Sequence, residues 1–297
     1  MRVSLFIQSV VNGLNQGAIY ALIALGYTMV YGIIRMINFA HGDFIMVGSY
    51  TLFYTIPLMV SWGMPAWLAV IFAVLVCVAV GVIVETVAYK PVRSAGSMSA
   101  LITALAVSVF LENLAMVLFG ANPKSVPAIF SLPSIEFLGA KLQVKYLLTL
   151  GIGLAMMLAL QLFVKKTKLG KAMRAVPQDK EASTLVGINV NRIITTTFAI
   201  GSGLAAVAAL MYCSTYPRCT TDMGSMMGLK AFIAAVLGGI GIIPGAMLGG
   251  LLVGLLEIFV KVYIAPGWYE AITYGVLIVV LLVKPAGILG KNVGEKV

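Results

Sequence analysis

Apolar runs long enough to cross a bilayer recur along this chain from residue 8 to residue 283. A stretch of about 20 such residues spans the hydrocarbon as a helix, which satisfies its own backbone where no water can. Nine apolar helices are read, near 8–34, 44–60, 66–88, 99–119, 146–164, 193–212, 228–242, 246–263 and 269–283. The first is long and glycine-rich, and only "GIIPG" separates the pair around 228–263. Either reads as a broken or re-entrant element, so eight or nine crossings fit. The expected fold is all-α, a polytopic membrane protein in which residues 1–297 form a single transmembrane domain. Composition agrees, because 10% charged residues and a mean hydropathy of +1.05 leave too little polar surface for a water-soluble domain. No cleavable leader is expected, since Asn12, Asn15 and Gln16 interrupt the first apolar stretch and no small-residue cleavage site follows.

The formal charge of +10 is read by position, because Lys and Arg collect in cytoplasmic loops. Half of it sits in one island, residues 165–192, where seven basic residues face only Asp179 and Glu181. Lys90 and Arg93 lie in the short loop "KPVRSAGS", and the tail from Lys284 adds Lys291 and Lys296. These three segments, the C-terminus included, are therefore expected in the cytoplasm. Residues 120–145, with Pro123, Pro127 and Pro133, form an external loop. The N-terminus is outside with nine crossings and inside with eight. Nothing resembles an aromatic-studded basic surface, so nucleic acid is not an expected partner.

Within the island, "VPQDKEASTLVGI" is punctuated as a helix of about ten residues, too short to cross a membrane. Pro177 suits a first helical position, Asp179 and Glu181 oppose the helix dipole, and Gly187 falls where a C′ glycine stops a helix. Ala182, Leu185 and Val186 make one apolar stripe, and "LGKAMRAV", with Arg174, adds a preceding turn or two of helix. The residues alone leave three uses open: lying on lipid, docking into a partner's groove, or holding topology as a solvated loop.

Ionisable groups within the spans are candidates for function because hydrocarbon penalises them. Glu85 lies near a helix end and can snorkel, Glu112 is deeper, and Glu257 is placed to pair with Lys261 at i+4. "NFAHGDF" interrupts an apolar run with Asn38, His41, Gly42 and Asp43. It reads either as a discontinuous helix, whose free N–H groups could meet a carboxylate, or as a plain cytoplasmic turn. Gly241, Gly245 and Gly249, and Gly250 and Gly254, repeat at i+4 and present a bare face suited to close helix packing. Cys213 and Cys219 lie close enough in sequence to pair if geometry permits, whereas Cys77 reads as an inert small hydrophobe.

No motif for chemistry is present. "GKAMRAV" and "GKNVGEK" lack the spacing or the Ser/Thr of a phosphate-binding loop, and "GGIGIIPG" fails the dinucleotide spacing. One histidine, His41, with Asp43 nearby makes a poor metal set, so neither a metal nor a cofactor is expected and the chain reads as non-enzymatic.

"EASTLVG" (181–187) resembles the E-A-A-x-x-x-G signature of permease subunits of bacterial ATP-driven importers, with Ser183 for the second alanine. Together with "GKAMRAVPQDKEASTLVGINV", "INFAHGDFIMVGSY", "GLKAFIAAVLGGIGIIPGAMLGGLLVGLLE" and "KPAGILG", it makes the chain similar to the branched-chain amino acid permeases, in the family's order from end to end. The short N-terminus fits the smaller of that family's two subunit types. The resemblance implies a coupling helix in 165–192, carried by Arg174, Pro177, Asp179, Glu181, Ala182, Leu185, Val186 and Gly187. It also implies a second homologous permease, two cytoplasmic ATPase subunits, and a periplasmic or extracellular amino-acid-binding protein delivering leucine, isoleucine or valine. The setting would be the bacterial inner (plasma) membrane. The rival readings are an ion-gradient-driven secondary carrier or channel, for which Glu112 and Glu257 are thin material, and a membrane scaffold.

Overall fold

Backbone amides in hydrocarbon must bond within the chain, so the apolar runs close into helices. The computed structural model describes residues 2–93, 95–130, 133–137 and 139–290; Lys291 and Lys296 lie outside the described residues. Among the described residues, eight helical stretches are long and apolar enough to cross a membrane. They contain α1 (Arg2–Ile34), α2 (Asp43–Ser61), α3 (Ala69–Ile83), α5 (Ser97–Phe119), α6 (Val144–Lys166), α9 (Val190–Thr215), α11 (Ile243–Tyr263) and α12 (Tyr269–Val283). Past Ile83, α3 widens into a π-helical segment, Val84–Tyr89, and closes with a single turn, α4 (Lys90–Val92). The apolar helix α10 (Met223–Gly238) has 16 residues, about 24 Å of rise, shorter than the hydrocarbon. Two short helices, α7 (Lys168–Ala175) and α8 (Lys180–Leu185), make up the island.

The bundle is built around α1, whose residues Ala18 to Leu25 are wholly buried. It runs antiparallel to α11: Gly13 meets Leu255, Gly17 meets Leu251, and Ala21 meets Gly250. A Cβ at Gly250 would stand 2.6 Å from the Ala21 Cα, so the backbones touch where side chains elsewhere would hold them apart. One end of the bundle gathers the C-terminal end of α1, the island, the α10–α11 turn and residues 284–290. At the other end, β1 (Ser134–Phe137) and β2 (Ala140–Gln143) form an antiparallel hairpin with Ser134 opposite Gln143. That end also carries the Lys124–Cys219 bridge and all three exposed tryptophans, Trp62, Trp67 and Trp268. An indole belt suits a membrane–water boundary.

Two boundaries differ from expectation for local reasons. α10 ends at Gly238 rather than near 242, because Gly239 (φ +107°) and Gly241 (φ +91°) turn the chain and Pro244 then occupies the first turn of α11. Cys213 and Cys219 are both buried and unpaired. In the loop after α9, burial pushes the Cys219 thiol up to about 11.

Candidate functional site

In the island, Thr167 caps α7 by accepting from the Gly170 amide, and Asp179 caps α8 by accepting from the Ala182 amide at 2.9 Å. Pro177 therefore does not open the helix. It lies in the turn before the cap, and α8 has six residues rather than about ten, because the chain enters the helix at Asp179, whose carboxylate satisfies the Ala182 amide. Gly187 stops the helix at φ +85°. The stripe faces outward: Leu185 is 89% and Val186 76% exposed, and Ala182 is exposed too. The residue of α8 that packs inward is Ser183, whose hydroxyl donates to the Asp179 carbonyl.

Behind the island a crevice of about 400 Å³ is lined by Arg35, Val176, Pro177, Gln178, Asp179 and Glu181. Arg174 lines the adjoining recess with Thr28 and Gly32 of α1. The expected coupling residues Arg174, Pro177, Asp179 and Glu181 thus cluster on Arg35, which sits in the left-handed region at φ +57° just past the end of α1. A non-glycine residue held there marks a sharp, specified reversal.

After Arg35 the chain turns back into the bundle. Asn38 accepts a hydrogen bond from the Tyr89 hydroxyl at 2.6 Å, and a 3-10 turn, Phe39–His41, leads into α2 at Asp43. His41 packs edge-on against Tyr27 and Phe44 and fills the space beside Gly26 and Gly201. Gly201 is near the middle of α9, and Asp43 lies beside Ser108, the middle of α5. The helix break therefore sits at mid-depth in the bundle, not in a turn at its surface. Gly42 backs directly onto α10, where a Cβ would stand 2.7 Å from the Gly228 Cα. This seals the N-terminus of α2, and its own Asp43 occupies the first turn. Asp43 is fully buried, with the Ser108 hydroxyl alongside but neither carboxylate oxygen in hydrogen-bond geometry. On α5, Glu112 accepts from the Ser225 hydroxyl in the first turn of α10. Asn38, His41, Gly42, Asp43 and Glu112 thus fall in one region, remote from the island cluster and joined to it through Arg35.

Glu85 does not snorkel. It is fully buried, accepting from the Arg93 guanidinium at 2.6 Å and the Thr195 hydroxyl at 2.7 Å, because Arg93 folds back one turn beyond the π segment to reach it. Glu257 pairs with Lys261 at 2.5 Å and also with Lys230 at 3.2 Å, while the Tyr20 hydroxyl donates to its second oxygen at 2.6 Å. Lys230 was legible as the single charge in the glycine-rich 228–242 run, yet its sequence spacing to Glu257 carries no periodic signal. The glycine repeat serves two faces instead of one. Gly245 and Gly249 back onto Gly238 and Ala234 of α10, Gly250 and Gly254 onto α1, and Gly241 lies in the turn against Gly32.

Long apolar helices enclosing a helix break at mid-depth, with a capped helix displayed outside the bundle, define a polytopic α-helical membrane protein. Residues 9–282 match the family described as branched-chain amino acid transport system / permease component, and the chain belongs to that family. It is 42% identical over 301 residues to the high-affinity branched-chain amino acid transport system permease protein LivH of Salmonella typhimurium, covering 98% of each chain. The permease protein BraD of Pseudomonas aeruginosa shows the same identity and coverage. A probable branched-chain amino acid permease, LivH of Methanocaldococcus jannaschii, is 27% identical over 91% of this chain and 88% of its own.

Proposed function

We propose that this chain is the permease subunit of an ATP-driven importer, lining with a second homologous permease the path by which leucine, isoleucine and valine cross the membrane. An external binding protein delivers the amino acid. Two cytoplasmic ATPase subunits seat on residues 165–192, so ATP hydrolysis belongs to the partners. The positive-inside rule orients the island and the C-terminus to the cytoplasm, and with α10 as a ninth, short crossing it puts the start of α1 outside.

The observation that carries the coupling role is the display of Leu185 and Val186 to solvent on a capped helix too short to enter the bilayer. Two exposed aliphatics held rigid on a tight turn are suited to a groove on a protein partner. Movement of α8 is passed through the Arg35 crevice to the break at Asn38–Asp43, a hinge between the island and the middle of the bundle.

The test is reconstitution of the complete complex carrying Leu185→Asp with Val186→Asp. Leucine uptake and ATPase capture are expected to fall at least tenfold, with the unfolding temperature of the permease unchanged. Normal uptake by that variant, or gradient-driven leucine accumulation by the chain without any ATPase, overturns the reading.

A further inference from the structure

The outward faces of the long helices are mostly aliphatic. Ile102, Val117 and Leu118 on α5 and Leu282 on α12 are each more than 60% exposed, a surface that lipid tolerates. A carboxylate stands out against this surface. Glu112 lies one helical turn beyond the midpoint of α5, partly exposed, with the exposed Ser225 of α10 as its hydrogen-bond donor and no basic partner among the described residues. A carboxylate directed at hydrocarbon costs several kcal/mol, and ionisable groups in membrane spans as a rule face a bundle interior or a water-filled cavity. A second, independent observation points to the same corner. Asp43 is wholly buried, with the Ser108 hydroxyl alongside but neither carboxylate oxygen in hydrogen-bond geometry, and it lies so close to Gly224, next to Ser225, that a Cβ on Gly224 would strike its Oδ1. Two carboxylates and a hydroxyl therefore converge where α2, α5 and α10 meet. Toward the island end the same face of α10 continues with Met226 and Leu229, 50% and 42% exposed.

We propose that this corner receives the α-ammonium group of the amino acid in transit, with Glu112 as its counter-charge and Met226 and Leu229 flanking the aliphatic side chain. The inference rests on the importer reading given above. An ammonium bearing an aliphatic chain matches the site at both ends, being cationic at Glu112 and apolar along α10. One exposed carboxylate also holds it loosely enough to let go, which a path requires.

The experiment uses the full complex with binding protein in proteoliposomes. Glu112→Gln is expected to cut leucine uptake tenfold or more while the complex still assembles with its unfolding temperature unchanged, and Glu112→Asp to retain most uptake. A second measurement does not depend on uptake. With Cys77, Cys213 and Cys219 replaced by serine, Met226→Cys should react with a membrane-impermeant trimethylammonium methanethiosulfonate, and Glu112→Gln should slow that reaction about tenfold. Wild-type uptake by Glu112→Gln, or a Met226→Cys thiol that only lipid-soluble reagents reach, overturns the proposal. If the unaltered complex carries no leucine, the importer reading fails, whereas the labelling result still tells whether the corner is aqueous and anionic.

Discussion

A lysine ammonium among apolar helices needs counter-charge within reach, and Lys230 finds two carboxylates, Glu257 at 3.2 Å and Glu270 at 3.7 Å. Tyr269 adds its ring face at 4.7 Å. Removing the charge leaves Glu257 buried with only Lys261 and Tyr20, and breaking a buried pair from one side costs about 3 kcal/mol or more. Lys230→Met should therefore lower the unfolding temperature in detergent, and Lys230→Met with Glu257→Gln should lose less than the two single changes added together. Additivity in that cycle would show the contact to be energetically silent. Cys219 offers a chemical check at the same scale. The thiolate is the reactive form, and burial holds this thiol at about 11. Alkylation of the folded protein should be negligible at pH 8, should climb as the pH approaches 11, and should become rapid at pH 8 once the protein is unfolded.

Among the elements, α8 separates display from stability. Its cap, Asp179, supports six residues that make few demands on the bundle, so Asp179→Ala should cost about 1 kcal/mol of local helix while the global unfolding temperature stays put. Hydrogen exchange confined to residues 180–187 would detect it. The contact of α2 with α10 behaves oppositely. At Gly42 and Gly228 the backbones meet without side chains, so Gly228→Leu forces the helices apart at an overpacking cost of about 1–3 kcal/mol, read as a lowered unfolding temperature. These contrasts also mark what the chain discloses by itself. Hydropathy gives the long helices because each satisfies its backbone alone, and the island's cap and stop residues act within four positions. The depth of the 38–43 break is different: it depends on Ser108 and Gly201, distant in sequence, and so the residues left a surface turn and a broken helix equally open. The Lys230–Glu257 pair and the two-sided glycine repeat are tertiary in the same way, set by how α10 and α11 fold back on each other.

Across the whole molecule, the side of the membrane on which the island lies decides whether the proposed ATPase could reach it. Single cysteines at Leu185 and Glu136 lie at opposite ends of the bundle, both exposed. An impermeant maleimide applied to intact cells, in the background with Cys77, Cys213 and Cys219 replaced, should label Glu136→Cys and leave Leu185→Cys untouched until the membrane is opened. The reverse pattern would put the island on the wrong side for an ATPase.

The shortness of α10 reaches back to how the chain is made. With 16 residues and a charged Lys230, it is a poor candidate to leave a translocation channel alone, and its counter-ion Glu257 is synthesised 27 residues later. Entry of α10 and α11 into the bilayer as one hairpin would bring the two charges together before either is left alone in lipid.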